Sequence, residues 1–428
     1  MKKKNFKINY LFRSEFVKNS LILSIGSVFS QLIPIAIAPV LTRYYSPENY
    51  GALAIFVSIA SLISIISTMR YEISVALPKK DEDAINIVVL SIIINLIISF
   101  CSLIIFLFFH KNIAYLLKID ELSVWLLFIP LFVIFSGAFQ ILNYWCIRFG
   151  FFKKLSISRI IQALTGSGTN LILGVNNFGA PGLIFGLLAG QFVSFISLFF
   201  QNLKGLKNRI KFVTKINIIS QMKIYKEFPI VNSVQAIMDV LRDSLIILLI
   251  SNLFNSQILG LYTFTLRILK VPSTFIGMAV SQVFLQKAKD LFNNGENLNG
   301  IVLKIMTRLI LFALPVFLVI FILSPFLFGI IFGEKWNGVG FYTRILTPWI
   351  FMNFVVSPLS QIPIIVGKQR QVLGLGFIGS LLMIISILFG KILFEGIIPG
   401  LIFLSVSQFI FLSFVLLWIY KISNWKKC

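Results

Sequence analysis

Five charged side chains stand inside stretches that are otherwise apolar enough to cross a lipid bilayer. They are Asp239, Arg242, Asp243, Arg267 and Lys270. A charge at the centre of a bilayer costs at least about 2.5 kcal/mol, so such residues usually meet a partner or line a watery cavity. Cations in this setting could bind an anionic group such as a diphosphate, and carboxylates could take up a proton or a sodium ion.

The first three of these charges share one face of a predicted helix, Phe228 to Ser251. At 100° per residue, the charged and amide residues of this stretch fall within one arc of about 100°, which comprises Asn232, Gln235, Asp239, Arg242 and Asp243. Two interpretations stay open: Asp239 could pair with Arg242 one turn on in a structural cluster, or an aspartate could carry a coupling ion. Arg267 and Lys270 have no acid in their own helix, which favours anion binding.

The composition predicts an all-α, polytopic membrane protein. The 428 residues are 58% hydrophobic and only 12% charged, whereas soluble proteins have about 25% charged residues. The apolar runs are too long for the alternating strands of a membrane β-barrel. We predict twelve spans, at 19–42, 51–77, 84–109, 122–147, 156–175, 181–201, 228–251, 258–285, 302–331, 342–366, 372–393 and 397–420.

The basic residues set the predicted orientation. Alternate connections, with the two termini, hold 28 Lys and Arg residues, and the opposite connections hold five. This asymmetry places both termini in the cytoplasm. It also accounts for the net charge of +23 without nucleic-acid binding, and the basic surfaces favour membrane lipids with anionic headgroups.

The longest connection divides the chain into two halves. Its lysines alternate with hydrophobic residues, which is typical of a segment on the membrane surface. We predict an N-terminal six-helix lobe (1–201), a basic cytoplasmic linker (202–227) and a C-terminal six-helix lobe (228–428). A polar turn and a glycine, Gly51 or Gly260, follow the first span of each half, which indicates a repeat with a pseudo-twofold axis along the membrane normal.

Further polar stripes lie on other spans. The first span carries Gln31 among serines, the second carries Glu72, and the fifth carries Arg159 and Gln162. If the stripes converge, they line a central cavity, whereas small hydroxyl residues in membrane helices more often mediate packing. The sequence has one histidine, which is too few for a histidine-based catalytic triad or zinc site, and no phosphate-binding GxxxxGK[ST] loop for ATP hydrolysis. We therefore expect no cofactor, no metal site and no enzyme activity.

Two blocks of sequence resemble a known family. They are LTRYYSPENYGALAIFVSIASLISIISTMRYEISVALPKKDEDA, from Leu41 to Ala84, and FPIVNSVQAIMDVLRDSLIILLISNLFNSQILGLYTFTLRILKVPSTFIGMAVSQVFLQKAKD, from Phe228 to Asp290. The chain resembles bacterial polysaccharide repeat-unit flippases, the Wzx-type translocases of O-antigen and capsule, in the multidrug/oligosaccharidyl-lipid/polysaccharide exporter superfamily. Arg70 and Glu72 in MRYE and Arg267 in TLRILKVP match the family blocks.

The resemblance implies a V-shaped pair of lobes with alternating access in the bacterial inner membrane. It implies transport of undecaprenyl-diphosphate-linked oligosaccharide from the cytoplasmic to the periplasmic leaflet for lipopolysaccharide O-antigen synthesis, with the polysaccharide polymerase machinery as a partner. We assign substrate binding to Arg267, Lys270, Arg242, Arg70 and Gln31, and coupling to a proton or sodium gradient to Asp239, Asp243 and Glu72. The alternative is a cation-coupled multidrug exporter of the same superfamily, whose cavity should be rich in acids and aromatics.

Replacing Asp239 or Asp243 by Asn tests the ion-coupling assignment. If either carboxylate binds the driving ion, its loss should change how transport depends on pH or on sodium, as measured in vesicles with imposed gradients. An unchanged profile in both variants would leave these residues with a structural role only.

Overall fold

The structure is a computed structural model, and every regular element in the residues that it describes is a helix. It describes residues 15–424 except 118, 120–121, 274–276, 278–279, 281–283, 285–286, 289–290 and 293–295, with side chains from residue 25 onward other than that of 364. The basic residues before residue 15, the last four residues and much of the predicted eighth span lie outside the described residues.

Helices occupy all twelve predicted spans, in whole or in part. In the first part of the chain they are α1 (Glu15–Tyr44), α2 (Pro47–Ser64), α3 (Tyr71–Ser74), α4 (Asp81–Leu116), α5 (Ile129–Arg148), α6 (Phe152–Val175), α7 (Ala180–Arg209) and α8 (Lys215–Ile224). They continue as α9 (Ser233–Leu253), α10 (Ser256–Leu269), α11 (Asn299–Phe332), α12 (Asn337–Val356), α13 (Ile362–Ile365), α14 (Gln369–Phe394) and α15 (Ile397–Ile422). Among the described residues, eight helices are long and apolar enough to cross a membrane. The chain is a multi-pass membrane protein, and the count of twelve and the pseudo-twofold axis stay predictions.

The chain forms two compact units. The first comprises Met1–Tyr45 and Ala52–Leu248, and the second comprises Ser46–Gly51 and Leu249–Cys428. Most of α9 therefore clusters with the preceding helices. The predicted lobes, 1–201 and 228–428, stay a prediction.

Close helix packing organises the first unit around α6, which lies between α1 and α7. Gly166 and Gly190 permit the approach of α6 and α7, because a Cβ on Gly190 would come within 3.3 Å of the Gly166 Cα atom. A second apolar cluster joins α3, α4 and α5 and includes Tyr71, Ile85 and Trp145. Lipid tails are as apolar as the side chains, so the hydrophobic effect does not drive membrane helices together. Close packing at small residues is therefore a main source of helix association.

Aromatic packing organises the second unit. The Phe264 ring lies 4.5 Å from that of Trp336 and 5.3 Å from that of Tyr50, centroid to centroid. Beside this cluster, a Cβ on Gly260 would lie 3.0 Å from the Gly51 backbone nitrogen. The two glycines that mark the repeat in the sequence thus lie against each other, and neither position has room for a side chain.

The predicted span at 51–77 is not one continuous helix. Helix α2 ends at Ser64, six residues of turn follow, and the helical path resumes only as the four-residue α3. Met69 and Arg70 have positive φ angles of 47° and 61°. The stretch contains neither glycine nor proline, so hydropathy alone predicts an unbroken helix there.

Arg344 has a structural task in the second unit. Pro325 in α11 has no N–H to donate to the carbonyl of Phe321, four residues earlier. Arg344 in α12 supplies the missing donors, since its Nε donates to the Phe321 oxygen at 3.1 Å and its Nη2 to the Ile322 oxygen at 3.1 Å. The guanidinium thus satisfies backbone groups at a proline in a membrane-spanning helix.

Replacing Arg344 by Leu should destabilise the protein by about 1–3 kcal/mol, because it leaves a carbonyl without a donor in an apolar setting. Thermal unfolding of the purified protein in detergent would show this as a lower Tm. Arg308, which is exposed on α11, provides the matched control: Arg308→Leu should have a much smaller effect, and equal shifts in the two variants would contradict the assignment.

Candidate functional site

Two charged residues lie at the break after α2. Arg70 is the last residue of the break, and Glu72 lies in α3. Left-handed backbone at non-glycine residues is uncommon and costs about 1–3 kcal/mol each, so the surroundings must hold it. Here the Ser67 hydroxyl donates to the Ser64 carbonyl at 2.8 Å. On the other side of the break, the Tyr71 hydroxyl donates to the Met222 carbonyl at 3.0 Å. These bonds fix the backbone on both sides of Arg70.

Glu72 is almost fully buried, with 3% of its surface exposed. Its carboxylate accepts a short hydrogen bond from the Thr68 hydroxyl and lies 3.6 Å from Nη1 of Arg70. Arg70 is less buried, and its Nε has no hydrogen-bond partner among the described residues. A buried guanidinium donor without a partner is costly, and an anionic oxygen would satisfy it.

A cavity of about 740 Å³ opens beside this pair, within the first unit. Its lining comes from α1, α2, α3, α5, α6, α7, α9 and the break. The polar lining residues are Ser30, Ser61, Ser64, Ser67, Thr68, Arg70, Glu72, Ser136, Gln140, Tyr144, Arg159, Gln162 and Gln191. The charged members are two guanidinium groups and one carboxylate, so the lining carries an excess positive charge.

Arg159 of α6 supplies the second cation. Its Nη1 donates to the Ser27 hydroxyl at 2.7 Å, and its Nη2 lies 3.5 Å from the Asn143 side-chain oxygen. No described carboxylate lies within ion-pair distance of it. A partly buried guanidinium held by neutral oxygens keeps its full charge available to a bound anion.

Amide side chains line the cavity next to Arg159. Gln162, one turn along α6, donates to the Gln191 side-chain oxygen at 2.6 Å. Gln140 and Tyr144 follow Ser136 at intervals of four on α5, so all three face the same space. Amides and hydroxyls can each donate and accept hydrogen bonds, as sugar hydroxyls require.

The predicted site residues of the first unit fall in three places. Arg70 and Glu72 line the cavity. Gln31 does not line it; its amide donates to the Ser27 carbonyl at 3.3 Å, one turn back on α1. Arg242 pairs with its neighbour Asp243, Nε to Oδ1 at 3.1 Å, instead of with Asp239, and the side chains of the pair are 40% and 68% exposed.

On α9, Asp239 and Asp243 are exposed and Arg242 is half-buried. The buried positions of α9, such as Ser233, Ala236 and Ser244, lie toward the first unit, and Val240 reaches the cavity lining. Arg267 and Lys270 belong to the second unit, where both are exposed. A shared site for α9 and these two cations stays a prediction.

Sequence reasoning did not assign Arg159, Gln140 or Gln191 to the binding site. Arg159 was visible in the polar stripe of the fifth span, but it lies close enough to the span end to be counted with a basic loop. The signal for Gln140 was the spacing of Ser136, Gln140 and Tyr144 at four-residue intervals in an apolar span. Gln191 stands in its span without such a pattern.

A family model described as "Polysaccharide biosynthesis protein" matches residues 40–340. This range includes the cavity-lining break, α5, α6, α7 and α9. The chain belongs to this family. The finding confirms the family resemblance drawn from the two sequence blocks, and a comparison with curated proteins gives no match.

Solved structures of transporters share the fold of this polysaccharide biosynthesis protein. An inward-facing multidrug resistance MATE family transporter of the MOP superfamily aligns with a TM-score of 0.72 at 13% identity, covering 93% of this chain and 94% of its own. The lipid II flippase MurJ, in an inward closed conformation, aligns with a TM-score of 0.71 at 16% identity, covering 94% and 90%. A MOP superfamily transporter from Pyrococcus furiosus, whose structure is described by the reverse polarity of its binding pocket, gives 0.57 at 14% identity, covering 99% and 100%.

Two substitutions in the cavity should change anion affinity in opposite directions. Arg159→Gln removes a cation and should weaken pyrophosphate binding roughly tenfold or more, whereas Glu72→Gln removes the only carboxylate of the described lining and should strengthen it. Isothermal titration calorimetry on the purified protein measures both.

Lys153→Gln is the control, because this exposed lysine begins the same helix as Arg159 and does not line the cavity. Its affinity should match the wild type. Changes of the same sign in the two cavity variants, with their Tm values unaltered, would contradict an electrostatic anion site.

Proposed function

We propose that this protein is a flippase for undecaprenyl-diphosphate-linked oligosaccharide repeat units. It moves them by alternating access from the cytoplasmic to the periplasmic leaflet of the bacterial inner membrane, with both chain termini in the cytoplasm. Membership of the polysaccharide biosynthesis family supports the pathway. The fold shared with a lipid II flippase supports the mode of action.

The observation that carries the proposal is the charge of the cavity. Arg70 and Arg159 face a space of about 740 Å³ that contains one carboxylate, Glu72. A diphosphate needs compensating cations when it leaves water for a low-dielectric setting, and guanidinium groups bind phosphate oxygens through paired hydrogen bonds. Gln140, Gln162 and Gln191 supply donors and acceptors for the attached sugars.

The competing function is export of cationic drugs, since MATE transporters share the fold. A cationic drug would need an acidic, aromatic cavity. The described lining has more guanidinium groups than carboxylates, and its aromatic residues are limited to Phe132, Phe139 and Tyr144. The charge balance therefore favours an anionic substrate over a cationic one.

We assign coupling to a proton or sodium gradient to the three carboxylates Asp239, Asp243 and Glu72. Glu72 adjoins Arg70 in the cavity, so a change in its charge would alter the field that acts on a bound anion. Asp239 and Asp243 are exposed on α9 and open to ions. Arg267 and Lys270, which are exposed in the second unit, are assigned to binding of the diphosphate. Polymerase machinery in the membrane would receive the flipped units.

Complementation of a flippase-deficient polysaccharide-producing strain tests the function. Arg159→Gln, Arg267→Ala and Lys270→Ala should each abolish or strongly reduce surface polysaccharide, because each removes a cation assigned to the diphosphate. Lipid-linked repeat units should accumulate on the cytoplasmic side.

Membrane levels of each variant must match the wild type, and Lys153→Gln should complement fully. Wild-type amounts of polymer with all three cation variants would exclude the flippase function as described. Export of cationic drugs that persists in these variants would point to the competing function.

A further inference from the structure

Helix α8 and the turn before it form a small, well-anchored element in the linker. The helix begins after Thr214, whose side chain accepts a hydrogen bond from the Asn217 backbone N–H at 3.2 Å and caps the first turn. A 3₁₀ turn, Ile210–Phe212, joins it to α7. Both belong to the first unit.

One face of α8 is fastened to the start of α4. Gln221 donates to the Asp83 carboxylate at 3.0 Å, and the Thr214 N–H donates to the Asn86 side-chain oxygen at 3.2 Å. Asn86 in turn donates to the Phe212 carbonyl at 3.1 Å. Since Asp83 and Asn86 lie in the first two turns of a membrane-spanning helix, α8 lies at the end of the apolar bundle, where lipid headgroups begin.

The opposite face of α8 combines isoleucines with lysines. Ile216 has 80% of its surface exposed, and Ile219 is exposed one turn on. At 100° per residue, Lys223 projects between these two isoleucines and Lys215 lies at their edge. This combination suits the headgroup region of a membrane, which accepts apolar side chains below the phosphates and lysine amines among them.

We propose that the outer face of α8, made by Lys215, Ile216, Ile219 and Lys223, binds a membrane surface rich in anionic lipid headgroups. The isoleucines enter the acyl boundary, and the lysines contact the phosphates. Charge complementarity favours this occupant: the residues around α8 add Lys207, Lys211 and Lys226, which outnumber the two exposed acids nearby, Glu82 and Glu227. The other two acids at this end are already engaged. Asp81 pairs with Arg148 at 2.9 Å and Arg209 at 2.8 Å, and Asp83 accepts from Gln221.

The test uses the full chain with a fluorophore on the outer face of α8. Ser220→Cys, exposed on that face, is labelled after Cys101→Ala and Cys428→Ser remove the other accessible or terminal thiols. The protein is reconstituted in phosphatidylcholine vesicles that contain headgroup nitroxide on either phosphatidylglycerol or phosphatidylcholine at equal mole fraction. Quenching by the anionic lipid should be at least about twofold greater.

Lys215→Gln with Lys223→Gln should remove this preference, and Ile216→Asn should reduce quenching by both lipids. Lys79→Gln with Lys80→Gln provides the matched control, since these exposed lysines lie at the same end of the unit just before α4, and it should keep the preference. Equal quenching by the two lipids, no quenching by either, or an equal loss in the control would overturn the proposal. Thermal unfolding confirms that each variant is folded, and the result does not depend on whether the protein flips its proposed substrate.

Discussion

The candidate site depends on a backbone break in the second predicted span. Met69 and Arg70 adopt left-handed conformations that a continuous helix would not allow. Hydrogen bonds at Ser67 and Tyr71 hold the chain on either side of the break. Irregular backbone at membrane depth is tolerated where it is buried in protein or lines a cavity. The break lines the cavity. The result is that Arg70 and Glu72, only two residues apart, both reach the same space, and the cost of the strained backbone is met by packing elsewhere.

Four of the described arginines have two kinds of surroundings, which correspond to two kinds of role. Arg148 and Arg209 share the Asp81 carboxylate and join the ends of α4, α5 and α7. Arg344 satisfies carbonyls next to a proline. These groups have strong partners within the described chain. Arg159 instead meets neutral oxygens at the wall of a cavity. A cation whose charge is uncompensated by the fold is the one suited to compensate the charge of a substrate.

The family and the fold each limit the functions that this protein could have. The family places the chain in polysaccharide biosynthesis, and the fold is shared by drug transporters and by a lipid II flippase. A fold can serve several substrates, so the site has to decide between them. The described cavity has an excess of guanidinium over carboxylate and a wall of amides, which suits a sugar attached to a diphosphate better than an organic cation.

The sequence by itself determined the all-helical membrane class, because the length and apolarity of a run are local properties of the chain, and it determined the family through the two resembling blocks. It also singled out Arg70 and Glu72, through the resemblance of the block around MRYE. Only the tertiary structure showed the break at 65–70, since no glycine or proline marks it and its stability comes from distant groups such as the Met222 carbonyl. It also decided that Arg159, Gln140 and Gln191 meet in one cavity and that Arg242 pairs with Asp243. Spacing along a helix gives the face on which a residue lies, but the neighbours of that face depend on how separate helices pack.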